Sequence, residues 1–264
     1  MRYVYPVVSR RSGGVSVGIN LNPNNACNWR CIYCQVPGLT RGGPPPLDAS
    51  LLDRELRTML AEVLHGSFLG DHVPEGARQL SDVAFSGNGE PTSAVEFPQA
   101  VGIATHAMRD AGIGDSVRLR LITNGSLLDR RSVKDGIARL GQAGGEVWFK
   151  LDAATDEAIR RVNGTRSGPA SALRRLSTCT ELCDTWVQSC FFLLDGNPPS
   201  EHDLLVYLDA LDIVKGRIKG VHLYGLARPP MQMDASRLGR LSAGWLEMLA
   251  ARIGRLGLTV KVSP

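Results

Sequence analysis

Three cysteines within eight residues constrain this chain more than any other feature. Cys27, Cys31 and Cys34 have the spacing C-x3-C-x2-C, in a loop rich in proline and asparagine that follows a strand-like run at 14–21. Three thiolates from one short loop can hold three corners of a cubane iron–sulfur cluster, which normally takes four cysteines. The fourth iron then has no protein ligand from this motif and stays open to another molecule.

Zinc binding and disulfide bonding are the competing interpretations of these cysteines. A closed zinc site takes four ligands in tetrahedral geometry, but the next histidine is His65 and the next cysteine is Cys179. A disulfide framework is disfavoured, because three clustered cysteines leave one unpaired and the sequence has no secretory features. An iron–sulfur cluster is therefore the leading interpretation, and a zinc-binding adaptor protein is the non-enzyme alternative.

Length, composition and charge set broader limits. The 264 residues, 43% of them hydrophobic, suit one α/β barrel, and we expect a single domain over residues 1–264. No apolar run approaches the ~20 residues of a membrane helix, and the N-terminus lacks the apolar region of a signal peptide. We therefore expect a cytoplasmic protein with no membrane partner. The net charge of +4, with no dense basic run, permits an RNA partner without indicating one.

Strand-like and helix-like segments alternate along the chain. Apolar residues recur at helical spacing from Leu52 to Val63, with Asp48 as the N-cap and Gly66 as the stop. Later strands are expected at 83–86, 117–123, 147–151, 187–194, 220–224 and 256–262. Further helices are expected at 97–111, 128–141, 169–182 and 200–211, and a long final helix at 234–254.

This alternation predicts an α/β fold, a partial (βα)6 TIM-like barrel with a parallel sheet and outer helices. Chemistry in such barrels gathers at the carboxyl ends of the strands. The cysteine loop, the turn at 87–90 and the pair at 123–124 all fall at such ends, which independently supports the fold. Lys150 and Asp152 are two apart on a strand and share a face, so they either line the barrel mouth together or close it as a salt-bridged pair.

The cysteine motif and four further segments resemble the radical S-adenosylmethionine (SAM) superfamily. Its hallmark is C-x3-C-x-aromatic-C, and Tyr33 occupies the aromatic position. The other segments lie at 85–92, 122–125, 150–153 and 228–230. In that order they look most like the branch related to the wybutosine-synthesis enzymes of transfer RNA.

The resemblance implies two cofactors, a [4Fe-4S] cluster on the three cysteines and SAM. The amino and carboxylate groups of SAM would chelate the open iron. An electron from the reduced cluster would then cleave SAM into methionine and a 5′-deoxyadenosyl radical, which takes a hydrogen atom from the substrate. The electron would come from an external donor such as flavodoxin or ferredoxin. The role of the protein is to position the cofactors and exclude side reactions.

The resemblance also assigns cofactor contacts to residues near the strand ends. Tyr33 is expected to contact adenine or to pack under the cluster loop, and Glu90 to accept hydrogen bonds from the SAM ammonium group. Asn88 stands where the Gly-Gly-Glu motif of the family commonly has its second glycine. Asn197 and Arg228, which follow the fifth and sixth strands, are weaker candidates. The expected cofactor-binding residues are Tyr33, Gly87, Asn88, Gly89, Glu90, Thr123, Asn124, Lys150, Asp152, Asn197 and Arg228.

The substrate is not identified by these motifs. The branch favours RNA or a nucleotide-derived molecule, and a laterally open barrel also admits a protein. An activase or maturase that modifies a partner protein or peptide is therefore the second enzyme-level alternative. Cys179, Cys183 and Cys190 suggest a second cluster, but a free cysteine is often a small buried hydrophobe. No cysteine follows Cys190, and we expect these three to be core residues.

Overall fold

The computed structural model describes residues 1–9 and 13–264, and its centre is an eight-stranded sheet. The strands are β1 (Val4–Ser9), β2 (Gly14–Ile19), β3 (Leu80–Phe85), β4 (Arg118–Thr123), β5 (Glu146–Lys150), β6 (Asp184–Cys190), β7 (Val221–Tyr224) and β8 (Val260–Ser263). They lie in the sheet in chain order, and β1 pairs with β2 in the antiparallel direction. All other neighbours are parallel. The edge strands β1 and β8 do not pair, so the sheet is open, and the predicted partial barrel is confirmed.

Helices connect the parallel strands. They are α1 (Ala49–His65), α2 (Phe68–His72), α3 (Phe97–Asp110), α4 (Arg131–Gln142), α5 (Asp156–Asn163), α6 (Pro169–Leu182), α7 (Glu201–Val214) and α8 (Ala243–Gly254). The predicted ends of α1 are confirmed, because the Asp48 side chain accepts a hydrogen bond from the Leu51 N–H group and Gly66 forms the C-cap. No helix in the described part of the chain is both long enough and apolar enough to cross a membrane.

The core lies between the sheet and this helical layer. Alternate strand residues, among them Val83 and Phe85 on β3 and Leu121 on β4, are fully buried in one cluster with apolar residues of the helices. Because successive side chains of a strand point to opposite faces, the residues between them face the inside of the half-barrel. That inner face carries polar groups, including Asp82 and Arg120.

The predicted long helix at 234–254 is wrong in its first half. Residues Ala235–Arg237 form a short 3-10 turn, and Leu238–Gly239 pair with Leu193–Leu194 in a two-stranded antiparallel ribbon. The helix begins only after Ser242, whose side chain accepts a hydrogen bond from the Trp245 N–H group. The pairing with the segment after β6 therefore overrides the apparent helical pattern.

Among the α-helices and the strands of the central sheet, three elements were not predicted from the sequence, namely β1, α2 and α5. The expected strand at 187–194 is also divided, because β6 ends at Cys190 and the next two residues leave the sheet. Strand β1 is anchored at its start by α1. The Glu55 carboxylate accepts hydrogen bonds from the N–H groups of Arg2 at 2.7 Å, Tyr3 at 2.7 Å and Val4 at 3.1 Å.

We predict that Glu55→Gln destabilises the protein by about 1 kcal/mol at neutral pH, because an ionised acceptor of several N–H groups is replaced by a weaker one. Burial alone would raise the pKa of Glu55, but the three backbone donors outweigh it and lower the pKa. This contribution to stability is therefore complete above the pKa of the unfolded chain and is lost as the pH falls through the folded-state pKa.

Urea unfolding at pH 7 and at pH 3 measures this effect, with Glu62→Gln on the exposed side of the same helix as the control. The difference between wild type and Glu55→Gln should shrink at pH 3. An equal difference at both pH values would contradict the assignment.

Candidate active site

The cysteine loop follows β2 at the carboxyl edge of the sheet. It folds back on itself, because Ala26–Cys27 pair with Thr40–Arg41 and the Cys34 N–H group donates to the Cys31 carbonyl at 3.0 Å. All three thiols are half-buried and free of disulfide bonds. Their placement at this edge agrees with the sequence-based expectation.

The three thiols lie close enough to influence one another. Burial is the main cause that raises the pKa of Cys27 to about 11 and that of Cys31 to about 12. A negative charge on Cys34 adds to the shift of Cys27, and one on Cys27 adds to that of Cys31. The positive charge of Lys150 acts in the opposite direction on Cys31 and Cys34.

This donor set fits an iron–sulfur cluster. Cysteine thiolates are the usual ligands of such clusters, and each binds a different iron. Among residues 1–9 and 13–264, no three His, Cys, Asp or Glu side chains converge as they would around a single metal ion. Cys27, Cys31 and Cys34 would hold the cluster, whose redox chemistry depends on the protein environment around its sulfur atoms.

Helix α5, which the sequence-based prediction missed, supports the loop around Cys31. The N–H groups of Arg30 and Ile32 donate to the carbonyls of Asn163 at 3.1 Å and of Val162 at 2.9 Å. The helix ends at Gly164 in the left-handed region, with φ of 60°. A Cβ atom there would lie 2.6 Å from the Arg30 carbonyl oxygen, so only glycine allows this close approach. The glycine after a short amphipathic stretch was the signal that could have revealed α5.

Asp152 joins the loop to the ends of two strands. Its fully buried carboxylate accepts hydrogen bonds from the Tyr33 hydroxyl at 2.5 Å, from Asn163 Nδ2 at 2.8 Å and from the Cys190 N–H group at 2.9 Å. Lys150 Nζ lies 3.7 Å from Asp152 Oδ1. Lys150 and Asp152 therefore form the salt-bridged pair that was one of the two expected arrangements, and both also line one small pocket.

The ammonium group of Lys150 is enclosed by the residues around Asp152. Its ammonium donates to the Tyr224 hydroxyl at 2.9 Å and lies 5.0 Å from the centre of the Tyr33 ring. Burial would lower the pKa of Lys150, but the charge of Asp152 together with Tyr224 and Cys31 outweighs burial and raises it. Lys150 thus stays positively charged beside the cysteine loop. Tyr33 is buried and also packs on Phe192, with ring centres 5.6 Å apart.

The turn at 87–90 packs directly against the cysteine loop. Gly89 has no room for a side chain, because a Cβ atom would lie 2.1 Å from the Ala26 carbonyl oxygen. Gly87 has φ of 121°, a conformation that favours glycine. Asn88 donates from Nδ2 to Asn25 Oδ1 at 2.7 Å. These glycines therefore bring two protein segments together, as well as lying at the edge where a ligand is expected.

The Glu90 side chain is bound within the protein. Its carboxylate is 97% buried and accepts hydrogen bonds from the Thr92 hydroxyl, the Thr123 hydroxyl and the Asn124 N–H group at 2.6, 2.6 and 2.7 Å. Burial raises the pKa of Glu90, although these donors oppose the shift. Because Thr123 and Asn124 both donate to it, Glu90 links the end of β4 to the turn after β3.

Asn124 continues this connection to the cysteine loop. Its Nδ2 donates to Asn28 Oδ1 at 2.9 Å, and Asn28 Nδ2 donates to Ser126 Oγ at 2.7 Å. Asn124, Lys150 and Asp152 also line one small pocket together with Trp29. The structure thus brings together the predicted residues at the ends of β3, β4 and β5.

Arg228 is exposed, and its backbone lies beside the cysteine loop. Gln35 Nε2 donates to the Arg228 carbonyl at 3.3 Å, and the Met231 N–H group donates to the Cys34 carbonyl at 2.9 Å. Asn197 is not brought to the site. It lies in an exposed turn, where its Nδ2 donates to the Asp195 carbonyl at 3.0 Å, because the chain after β6 turns away into the short ribbon.

The remaining cysteines lie in two different apolar clusters. Cys179 and Cys183 are buried in the main core, as expected. Cys190 is buried in a separate apolar cluster with Tyr33, Phe192 and Leu226, which packs against Cys31. It therefore lies at the border of the site rather than in the main core.

Comparison with known proteins agrees with this architecture. Residues 21–208 match the family model of the radical SAM superfamily. The chain is 29% identical over 158 residues to the UPF0026 protein MJ1312 of Methanocaldococcus jannaschii, a match that covers 60% of this chain and 42% of that protein. The chain thus spans less than half the length of that curated relative.

Solved structures show the same fold at low sequence identity. A radical SAM methyltransferase from Sphaerobacter thermophilus superposes with a TM-score of 0.61 at 16% identity, covering 95% of this chain and 66% of that one. The FeFe-hydrogenase maturase HydG from Carboxydothermus hydrogenoformans gives a TM-score of 0.57 at 14% identity, with coverages of 94% and 53%. The family match extends over most of the chain, which therefore belongs to the radical SAM superfamily.

We predict that Asp152→Ala destabilises the apoprotein by about 3 kcal/mol, because it leaves buried donors unpaired and Lys150 without its counter-charge. Urea unfolding measures the change. Glu157→Ala removes an exposed carboxylate that pairs with Arg161 at 3.2 Å on the same helix, and should cost no more than about 0.5 kcal/mol. Equal losses in the two variants would show that Asp152 does not hold the site together.

Proposed function

We propose that this chain is a radical SAM enzyme that binds a [4Fe-4S] cluster through Cys27, Cys31 and Cys34. SAM would bind to the fourth iron of the cluster, which has no cysteine ligand. The observation that supports the proposal most directly is the position of the three thiols. One loop presents them at the carboxyl edge of the half-barrel, and the buried carboxylates of Asp152 and Glu90 tie that loop and its surroundings to the strand ends.

When bound, the cofactors would supply reductive cleavage of SAM to methionine and a 5′-deoxyadenosyl radical, which becomes 5′-deoxyadenosine by taking hydrogen from the substrate. The residues of the chain hold these groups in place. Tyr33, fixed by Asp152, forms a buried wall of the loop beside the charged Lys150. Asn124, oriented by Glu90 through its backbone, presents its side chain beside the cysteine loop.

The turn at 87–90 is proposed to contact SAM through its backbone. Three protein donors bind Glu90 Oε1 and one binds Oε2, and we assign the hydrogen bond from the SAM ammonium group to the backbone of Gly87, Asn88 and Gly89. Thr123 and Lys150 complete the wall at the next strand ends. Arg228, exposed beside the loop, is proposed to contact cofactor or substrate at the entrance.

The substrate is proposed to be RNA or a nucleotide-derived molecule. The resemblance to the wybutosine-related branch supports this choice, and the open edge of the half-barrel leaves room for a bulky substrate. An external one-electron donor such as flavodoxin or ferredoxin is required, because every cleavage of SAM consumes one electron. The function is proposed for the cytoplasm, where such donors are present.

Anaerobic reconstitution tests the proposal. The protein should bind about four iron and four sulfide per chain and, with dithionite, convert SAM to 5′-deoxyadenosine. Total transfer RNA is then isolated from cells grown in deuterated medium and added as the substrate. Deuterium from this RNA should appear in the 5′-deoxyadenosine. A colourless protein that binds one zinc ion per chain would contradict the proposed enzyme function. Transfer of deuterium from a labelled protein extract but not from labelled RNA would indicate a protein substrate.

We predict that Cys27→Ala, Cys31→Ala and Cys34→Ala each abolish cluster binding and SAM cleavage, because two thiolates do not hold a cubane with an open iron. Cys179→Ala is the matched control, since this thiol is buried in the main core. Iron content and 5′-deoxyadenosine formation measure the result. A Cys179→Ala protein that loses iron as completely as the loop variants would contradict the assignment.

We predict that Glu90→Ala retains the cluster but binds SAM at least about tenfold more weakly, because Thr123 and Asn124 lose the carboxylate that orients them. A tenfold change corresponds to about 1.4 kcal/mol, the scale of one hydrogen bond to a charged group. Equilibrium binding of SAM measures the change, with the exposed Glu75→Ala as control. Unchanged affinity in Glu90→Ala would place the SAM site elsewhere.

A further inference from the structure

Asn163, the last residue of α5, donates a side-chain hydrogen bond to the thiol of Cys31. Its Nδ2 lies 3.4 Å from Cys31 Sγ and 2.8 Å from Asp152 Oδ2. An amide nitrogen carries two hydrogens, so one N–H group points to the sulfur while the other is bound to the carboxylate. Only 2% of Asn163 is exposed, so water does not compete for either contact.

The orientation of this amide is fixed by its surroundings. The Asp152 carboxylate that holds it also accepts hydrogen bonds from Tyr33 and from the backbone of Cys190. The backbone of Asn163 is held as well, because its carbonyl accepts a hydrogen bond from Arg30 N at 3.1 Å. The N–H group that faces Cys31 is therefore in place before any cofactor binds.

For the other two thiols no side-chain N–H donor is found among the described residues, and the one side-chain contact of Cys27 is to an acceptor, Asn28 Oδ1, at 3.9 Å. Backbone N–H groups one or two residues further along the loop face Cys27 and Cys34. Cys31 takes its donor from a side chain, which a single substitution can remove without changing the loop backbone. The negative charge of Asp152, which lies behind the amide, is offset by Lys150 at 3.7 Å.

We propose that Asn163 is a positioning residue that raises the reduction potential of the cluster through its N–H group on Cys31. The inference rests on the proposed function. Hydrogen bonds to the sulfur ligands are among the factors that set the potential of an iron–sulfur cluster. The reduced cluster carries one more negative charge, so an N–H donor stabilises it more than the oxidised cluster. Asn163 makes the cluster easier to reduce by the external electron donor.

A redox titration followed by electron paramagnetic resonance tests this assignment on the reconstituted protein. Asn163→Leu keeps a side chain of similar size without the donor, and Asn163→Ser is a second variant whose hydroxyl is too short to span both contacts. Ser126→Ala is the control, because the Ser126 hydroxyl contacts the side chains of Asn28 at 2.7 Å and Asn124 at 2.6 Å and donates to no thiol.

We expect the two Asn163 variants to retain about four iron per chain and to show an equilibrium constant for one-electron reduction about tenfold lower. That ratio equals a potential about 59 mV more negative. Ser126→Ala should keep the wild-type potential. Unchanged potentials in both Asn163 variants, or an equal shift in Ser126→Ala, would overturn the inference.

The remaining outcomes are also decisive. If both Asn163 variants fail to take up a cluster while Ser126→Ala does, Asn163 is part of the scaffold of the loop, and its role in setting the potential is wrong. If the wild type itself takes up no four-iron cluster, the proposed function fails together with this inference. If the wild type and both Asn163 variants bind the cluster and have the same reduction potential, this inference is wrong, while the proposed function is unaffected.

Discussion

The buried carboxylate of Asp152 is the interaction on which the candidate site depends. It binds the cysteine loop through Tyr33, helix α5 through Asn163 and strand β6 through the backbone of Cys190. A buried charge is tolerated when it is paired and fully hydrogen-bonded, and Lys150 supplies the opposite charge. One side chain therefore fixes elements that are distant in sequence, so the arrangement of the three thiols depends on tertiary structure as well as on their spacing.

The inner face of the half-barrel divides into two regions. Away from the cysteine loop, Arg120 forms ion pairs with Asp82 and Glu146, and Trp148 stacks on His222 with ring centres 4.2 Å apart. The charges of Arg120, Asp82 and Glu146 compensate one another, and these groups fill that end of the interior. At the carboxyl edge the polar side chains belong to the strand ends and the loops that follow them, and the backbones of these loops lie close to one another. Such an edge can accept ligands without disturbing the core, which lies on the other face of the sheet.

The fold and the position of the site could be predicted from the sequence because they depend on local patterns. The periodicity of α1 with its Asp48 cap, the alternating strands and the cysteine spacing each identify an element by itself. The contacts within the site could not be predicted in this way. Glu90 is separated by 33 residues from Thr123, and no pattern in either segment shows that the carboxylate is used internally. Helix α5 was missed because only eight residues carry its pattern.

The central claim is that three thiolates leave one iron of a four-iron cluster open to SAM. Mössbauer spectroscopy of protein reconstituted with iron-57 tests it most directly, because each iron site contributes separately to the spectrum. The account predicts that addition of SAM changes the parameters of one iron in four and leaves the other three unchanged. A spectrum in which SAM alters none of the irons would contradict it, as would a protein that takes up no iron.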